Sequence, residues 1–276
     1  MVTVSVITPN FNGIRYLERA IEAVRRQNFS LEHIIVDDCS SDGSWDLLIT
    51  LSAKYNWLRP IRLSRNSGPV AARNEAIKVA KGRFISFLDV DDIWLPSKLS
   101  TQIPYMIENN SAISFSDYRF MSEDGVKIGK LLKGPNRVGW YLHHATRYIG
   151  CLTVIVDRYH LPNFYFTSIS PSYRAEDFLA FASAIKKSGY ALRCPNDLAR
   201  YSIVPASRSS NLIRNAVSIW RIYRVIEKIP FITSIMLFIS FALIASYKRL
   251  RYRPTKPRAS VDSDFRWSVI QSNDTL

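Results

Sequence analysis

The front of the chain alternates short apolar runs with helical spacing. Residues 3–8 (TVSVIT) are a β-branched run ended by Pro9-Asn10-Phe11-Asn12-Gly13, a buried strand and its turn. Leu17, Ala20, Ile21 and Val24 then recur on one face of a helix over residues 16–26. Residues 32–37 (EHIIVD) read as a second strand, and residues 44–54 as a second helix opened by Ser40-Ser41-Asp42-Gly43. A weaker strand over 58–63 leads to a third helix over 69–79, with Pro69 in its first turn. Residues 83–88 (RFISFL) form a fourth strand that runs straight into Asp89-Val90-Asp91-Asp92. Strand and helix repeating at this spacing predict a parallel sheet of βαβ units with right-handed crossovers. Ligands bind beyond the carboxyl ends of such strands. Thr8-Pro9-Asn10, Asp37-Asp38 and Asp89 to Asp91 are therefore predicted to face one crevice.

The middle is less regular. Residues 112–120 and 151–156 (CLTVIV) read as strands, with a turn at Glu123-Asp124-Gly125 between them. Residues 176–187 read as a helix closed by Gly189. From residue 211 the chain reads as helix, and residues 229–247 carry no charge.

With 47% hydrophobic and 22% charged residues, wholesale disorder and collagen-like or coiled-coil designs are excluded. Three scattered cysteines exclude a disulfide framework or a paired-cysteine zinc site and suit a reducing interior. Lys+Arg exceed Asp+Glu by 37 − 23 = +14, which suggests a polyanion or an anionic membrane surface as neighbour. The excess is concentrated at residues 248–258 (KRLRYRPTKPR), and the first residues lack the basic start of a signal peptide. No zinc spacing or RNA-binding aromatic motif appears, so nucleic acid is not the expected partner.

Asp89 and Asp91, two residues apart behind a buried strand, can share one divalent cation. Hard oxygen ligands suit Mg²⁺ or Mn²⁺ completed by substrate phosphates. The plainer alternative is that such acids cap the next helix. Asp38 can accept hydrogen bonds from a nucleobase or a ribose hydroxyl, or cap a helix. Arg73, on the third helix, can meet a diphosphate with its fork or stay solvated. Glu176 and Asp177 can supply a general base, or simply sit well in a helix's first turn. His143 and His144 are adjacent, converge poorly on one ion and suit packing. PNFNG offers one glycine where a dinucleotide fold needs three, and a DxD phosphatase would open with its acids rather than after three βα units.

Taken in order, VSVITPNFNG, IIVDDCSSDGSWD, NSGPVAARNEAI, GRFISFLDVDDIWLPSKL and AEDF resemble the successive motifs of family 2 glycosyltransferases of the GT-A fold, over residues 2–210. Within that family the chain looks like bacterial enzymes that build O-antigen or capsule. The resemblance implies an α/β fold with a Rossmann-like mixed sheet flanked by helices. It implies an inverting, metal-dependent transfer from a nucleotide-sugar, UDP by family habit, to a lipid-linked or oligosaccharide acceptor. Thr8, Pro9 and Asn10 would line the base pocket, and Asp38 would bind the base. Arg73 would lie near the nucleotide, Asp89 at the ribose or metal shell, and Asp91 on the metal. Asp177 would take the acceptor proton with Glu176 in support. Two positions depart from the family pattern. Ser202 stands where a diphosphate-contacting arginine is expected, leaving Arg200 or Arg208 to substitute, and FLAFASAI lacks a tryptophan common in relatives. A membrane-surface scaffold with a silent transferase domain is the non-enzyme alternative.

The expected organisation is a catalytic domain over residues 1–210, a helical, membrane-associating segment over 211–258, and a polar, disordered tail over 259–276. The uncharged stretch is flanked by Arg214, Arg221, Arg224 and Lys228 before it and the basic run after it. Both flanks favour the anionic cytoplasmic leaflet, so a re-entrant or interfacial helix is expected, with a single span as the alternative.

Overall fold

The computed structural model describes residues 2–167, 175–204 and 212–254. The front is the predicted series: β1 (Val4–Asn10), α1 (Ile14–Arg25), β2 (Leu31–Asp37), α2 (Ser44–Lys54), β3 (Leu58–Arg62), α3 (Pro69–Val79) and β4 (Phe84–Phe87). β1 pairs in parallel with β2 and β4, and β2 with β3. Then come β5 (Ile93–Trp94), α4 (Lys98–Glu108), β6 (Ile113–Ser122), β7 (Ile128–Leu132), β8 (Arg137–Gly139) and α5 (Trp140–Thr146). They are followed by β9 (Val154–Asp157), α6 (Glu176–Ser188), β10 (Tyr190–Ile203), α7 (Leu212–Arg221), a π turn (Ile222–Ile226) and α8 (Phe231–Tyr252). The strand order is β3-β2-β1-β4-β9-β6-β10-β5, with β7 on β6 and β8 on β10. β9 runs against both β4 and β6, and β10 runs with β6, so β1, β4, β6 and β10 all point one way. The sheet is thus parallel only as far as β4, and mixed beyond it.

Alternation along the strands sets the layers. Ile7, Ile34 and Val36 bury against Ala72 and Ala76 of α3 and Phe181 of α6. Val4 and Val6 face the other way, onto Ala20 and Val24 of α1 and Leu99 and Ile103 of α4. Each fully buried side chain of this size contributes about 1.5–3 kcal/mol. Leu17, Ile21, Ile35, Leu48 and Leu58 form a third cluster under α2.

β1 continues through Pro9, which the sequence assigns to the turn. Pairing with β4 stops at Ile7, whereas pairing with β2 runs on to Asn10. Ile7 O accepts from Leu88 and Asn10 O from Asp38, so residue 9 faces the side that β4 has left. The missing proline N–H therefore costs the ladder nothing. Residues 151–153 form a 3-10 turn rather than strand, and only Val154–Asp157 pairs. β10 shows no apolar alternation at Pro195-Asn196-Asp197, where its register against β6 shifts. Arg119 (2.5 Å) and Arg200 (2.6 Å) hold Asp197 at that bulge.

α7, the π turn and α8 pack on the start of α6. Ile219, Ile222, Tyr223, Ile229 and Leu237 share one buried cluster with Ala175, Phe178 and Leu179 at the start of α6. The polar tail over 259–276 lies outside the described residues.

Candidate active site

The carboxyl ends of β1, β2 and β4 meet as predicted, and hydrogen bonds fix their loops. Asn10 Nδ2 donates to Asp37 Oδ1 (2.9 Å) and Ser40 Oγ (3.3 Å), tying β1 to β2. Gly13 lets α1 start directly over this pair, because a Cβ there would lie 2.4 Å from Asn10 Oδ1. That oxygen is buried with no donor among the described residues. Pro9 is half-buried beside it. Thr8 is the residue expected in the pocket wall. Its side chain is fully buried, and its hydroxyl bonds His33 Nε2 (2.8 Å), so it braces the strand end from beneath.

Asp38 is buried, and its carboxylate accepts from the main-chain N–H groups of Ser67 and Gly68, each at 2.7 Å. It thereby sets the entry to α3, whose first turns carry Arg73. Arg73 is buried and donates to Asp89 Oδ1 (2.5 Å), with Glu176 Oε1 3.7 Å from its other terminal nitrogen. Its guanidinium also lies over the Phe166 ring at 5.2 Å. The neighbouring carboxylates hold this guanidinium firmly protonated despite burial. Nε and Nη1 make no hydrogen bond with any described residue, so buried donor capacity is left at the centre of the site.

Asp91 is half-buried, and burial together with the charge of Asp89 pushes its carboxyl up to about 6. Asp92 is raised further by burial and by both neighbours; its Oδ1 accepts from Ser202 N (2.8 Å). Arg19 of α1 donates to Asp91 O (2.5 Å) and approaches Ser202 Oγ (3.5 Å). A cation from α1 thus stands beside Ser202, where the family pattern has an arginine on the later strand. Arg200 is instead buried against Asp197 and Ala199 O, and Arg208 lies outside the described residues. A carboxylate raised by burial and by a neighbouring carboxylate, as Asp91 is, suits a site for a divalent cation. Among the described residues no group of three or more metal-binding side chains converges.

α6 brings its first turn to this cluster, with Glu176 toward Arg73 and Asp177 toward Arg147. Glu176 turns inward to Arg73, while the Asp177 side chain is 30% exposed with Arg147 Nη2 3.9 Å away. Cys151, buried among Arg73, Asp89 and Asp177, has its thiol pushed well up by burial. His143 and His144 diverge: His143 Nε2 meets Phe178 O (3.0 Å) and His144 Nδ1 meets Trp140 O (2.8 Å), the packing role expected. Arg19, Asp92 and Arg147 were not legible as site residues. Only Asp92 carried a signal, its place beside the DxD pair. A cavity of about 540 Å³ lined by Ala112, His160, Phe164, Ser183 and Lys187 opens at the far end of α6, away from this chemistry.

Residues 5–159 match the family described as glycosyl transferase family 2. The chain is similar to the putative teichuronic acid biosynthesis glycosyltransferase TuaG of Bacillus subtilis, 36% identical over 248 residues, 90% of this chain and 97% of that protein. It is also similar to the UDP-Glc:α-D-GlcNAc-diphosphoundecaprenol β-1,3-glucosyltransferase WfgD of Escherichia coli, 32% identical over 222 residues, 79% of this chain and 83% of that one. In fold it resembles S. aureus TarS 1–349 in complex with UDP-GlcNAc, with a TM-score of 0.66 at 20% identity, covering 90% of this chain and 72% of that one. With a family match over more than half its length and relatives aligned along most of it, the chain belongs to glycosyl transferase family 2 and is a glycosyltransferase of the GT-A fold.

Proposed function

We propose that this glycosyltransferase moves a sugar, with inversion, from a UDP-linked donor to a lipid-linked saccharide acceptor in surface polysaccharide synthesis. The observation that carries the reading is Arg73, which links Asp89 on the strand side to Glu176 on α6 with donor capacity to spare. The names of the relatives support the acceptor class and the pathway, since one acts on a diphosphoundecaprenol-linked sugar and another is named for teichuronic acid.

The base and ribose would lie over Pro9, Asn10 and the Asp38 loop. Asp89 and Asp91 would hold Mg²⁺ or Mn²⁺, which when bound supplies positive charge for the departing diphosphate. Arg73 adds fixed positive charge that needs no reorganisation as the leaving group becomes more negative. Asp177, the more exposed acid of the pair, takes the proton of the acceptor hydroxyl as that oxygen attacks C1 from the face opposite the diphosphate. Glu176 holds Arg73 and so keeps the two walls in register. One displacement inverts the anomeric centre without a covalent intermediate.

α8 is the proposed membrane contact. At 1.5 Å per residue its 22 residues reach roughly 33 Å, long enough for a span. Yet it is fastened to the domain at both ends: Leu237 packs in the cluster under α6, and Tyr252 packs against the core beside β7. Ile232, Met236, Ile239, Leu243, Tyr247 and Leu250 are exposed at spacings of three and four, one continuous outer stripe. A helix lying in the cytoplasmic interface accounts for both faces, with Arg249 and Arg251 at lipid phosphates.

The test is transfer from a panel of sugar nucleotides to a GlcNAc-diphosphate-alkyl acceptor, with and without Mn²⁺, on the full chain. Metal-dependent transfer with inverted product supports the reading; UDP binding without turnover favours the scaffold alternative. Topology is decided by a cysteine placed beyond Arg258. Labelling by an impermeant reagent outside intact cells means a full span.

A further inference from the structure

Arg147 ends α5 in the left-handed conformation, φ 47°, ψ 50°, which disfavours any residue with a Cβ. It is held there from three sides. Its N–H donates to His143 O (3.1 Å). The buried Lys248 of α8 donates to Thr146 O (2.7 Å) and to Arg147 O (2.9 Å). The guanidinium lies over Phe178 of α6 (5.4 Å) and Phe241 of α8 (5.9 Å). Despite this fixing, the guanidinium donates no hydrogen bond to any described residue. Its nearest anion, Asp177 Oδ1, is 3.9 Å away, outside hydrogen-bond distance, and its side chain is 28% exposed. A forked cation is thus positioned by α8, makes no side-chain hydrogen bond with any described residue, and stands beside Asp177, the acid proposed to face the acceptor.

The division of cations across the cleft says what it is for. Arg73 is buried on the strand side and engaged by Asp89, so it belongs with the donor. Arg147 stands between Asp177 and α8, whose outer stripe meets lipid in the reading above. A saccharide carried on a lipid diphosphate would bring its hydroxyl to Asp177 and its phosphates back toward α8. Resting on that reading, we propose that Arg147 is the anion-binding residue of the acceptor site, taking the diphosphate between saccharide and lipid, and that Lys248 and Phe241 position it.

The experiment compares GlcNAc-diphosphate-alkyl with the neutral alkyl GlcNAc glycoside of the same chain length. Binding to the full chain loaded with UDP and Mn²⁺ is measured by calorimetry, and transfer is followed separately. The wild type is expected to bind the diphosphate compound about 10- to 100-fold more tightly, as a charged hydrogen-bonding fork provides. Arg147→Gln should erase that difference and leave the neutral glycoside's affinity unchanged. Arg147→Gly, with the backbone preference reversed at this φ, separates fold from function: it should melt within a few degrees of wild type and still lose the preference. Lys248→Met should weaken the preference, because the guanidinium loses its brace. Equal wild-type affinity for the two compounds overturns the proposal, even when transfer to both is seen. So does an Arg147→Gln variant in which kcat falls alike on both acceptors and its pH profile moves, since Arg147 would then act only on Asp177. Absence of transfer to either acceptor, with the binding preference intact, counts against the assigned reaction instead.

Discussion

On the strand side of the cleft, carboxylates are closed by short bonds to main-chain amides: Asp38 to Ser67 and Gly68 at 2.7 Å, Asp37 to Ser40 at 3.0 Å. On the helical side, Asp177 and Arg147 stand 3.9 Å apart, and Glu176 is 3.7 Å from Arg73. The strand side is preorganised by its own backbone, as suits the proposed nucleotide donor, whose base, ribose and phosphates are the same at every turnover. On the helical side Asp177 Oδ1 also accepts from a main-chain amide, that of Phe178 (2.8 Å), but its ion pair with Arg147 is long, which leaves that guanidinium open to an incoming ligand. Electrostatic stabilisation works best where groups need not move as charge develops. The difference therefore places the costliest losses on the strand side.

Asp91→Ala is expected to remove transfer below detection and abolish any Mn²⁺ enhancement of UDP binding, because one of the two proposed protein ligands is lost. Titrating UDP with and without Mn²⁺ checks it, and full activity in this variant would sink the metal assignment. Asp177→Asn keeps the shape of the helical wall but cannot take a proton, so kcat should fall by about 10²–10⁴ with UDP affinity unchanged. A larger kcat loss in Glu176→Gln would exchange the two roles and make the inward-facing acid the base.

The same contrast explains what could be read from the chain. The strand side is written in contiguous stretches: a strand, its terminal acids and the next helix, as in IIVDDCSSDG and FLDVDD. Periodicity places the element, and the acid follows at its end. The helical side is assembled from residues far apart, Arg147 on α5, Asp177 on α6, Phe241 and Lys248 on α8, and no local pattern links them. β10 escaped for a related reason. Its middle is a polar bulge at Pro195, sustained by Arg119 and Arg200 on Asp197 rather than by apolar alternation. The setting of Thr8 was not legible because a strand-end side chain can be buried as readily as it can stand over the rim. Its partner His33 lies 25 residues away on the neighbouring strand.

Asp38→Asn tests how far the strand side depends on its closed amides. One oxygen still accepts, but the new NH₂ faces a main-chain N–H across 2.7 Å. An unsatisfied buried donor costs about 1–3 kcal/mol. Melting temperature should fall by several degrees and the donor KM should rise about tenfold, with kcat nearly held. If kcat falls and KM does not, the Asp38 loop acts on the chemistry rather than on donor binding.

The smallest effect is a slope. Burial pushes the imidazoles of His33 and His143 down to about 3 and that of His144 down to about 4. Each is neutral when folded and takes a proton when unfolded below about 6.5, so the unfolded chain binds more protons and stability falls as pH falls through that window. Between pH 6.5 and 5.5 the loss is about 1 kcal/mol per imidazole. Asp91 works in the opposite sense: its raised carboxyl gains a proton in the folded state near pH 6, which favours folding toward acid on the strand side. Two of the three histidines lie on the helical side, so the net acid lability belongs mainly there. His143→Gln keeps a donor within reach of Phe178 O and removes one titrating group. Its overall stability should drop, because the ring stacked on Phe178 at 4.5 Å is lost. Its stability difference between pH 6.5 and 5.5, from urea unfolding in metal-free buffer, should nevertheless shrink by about 1 kcal/mol against wild type. An unchanged difference would mean that His143 already titrates freely and that the packing of α5 on α6 is looser than its burial implies.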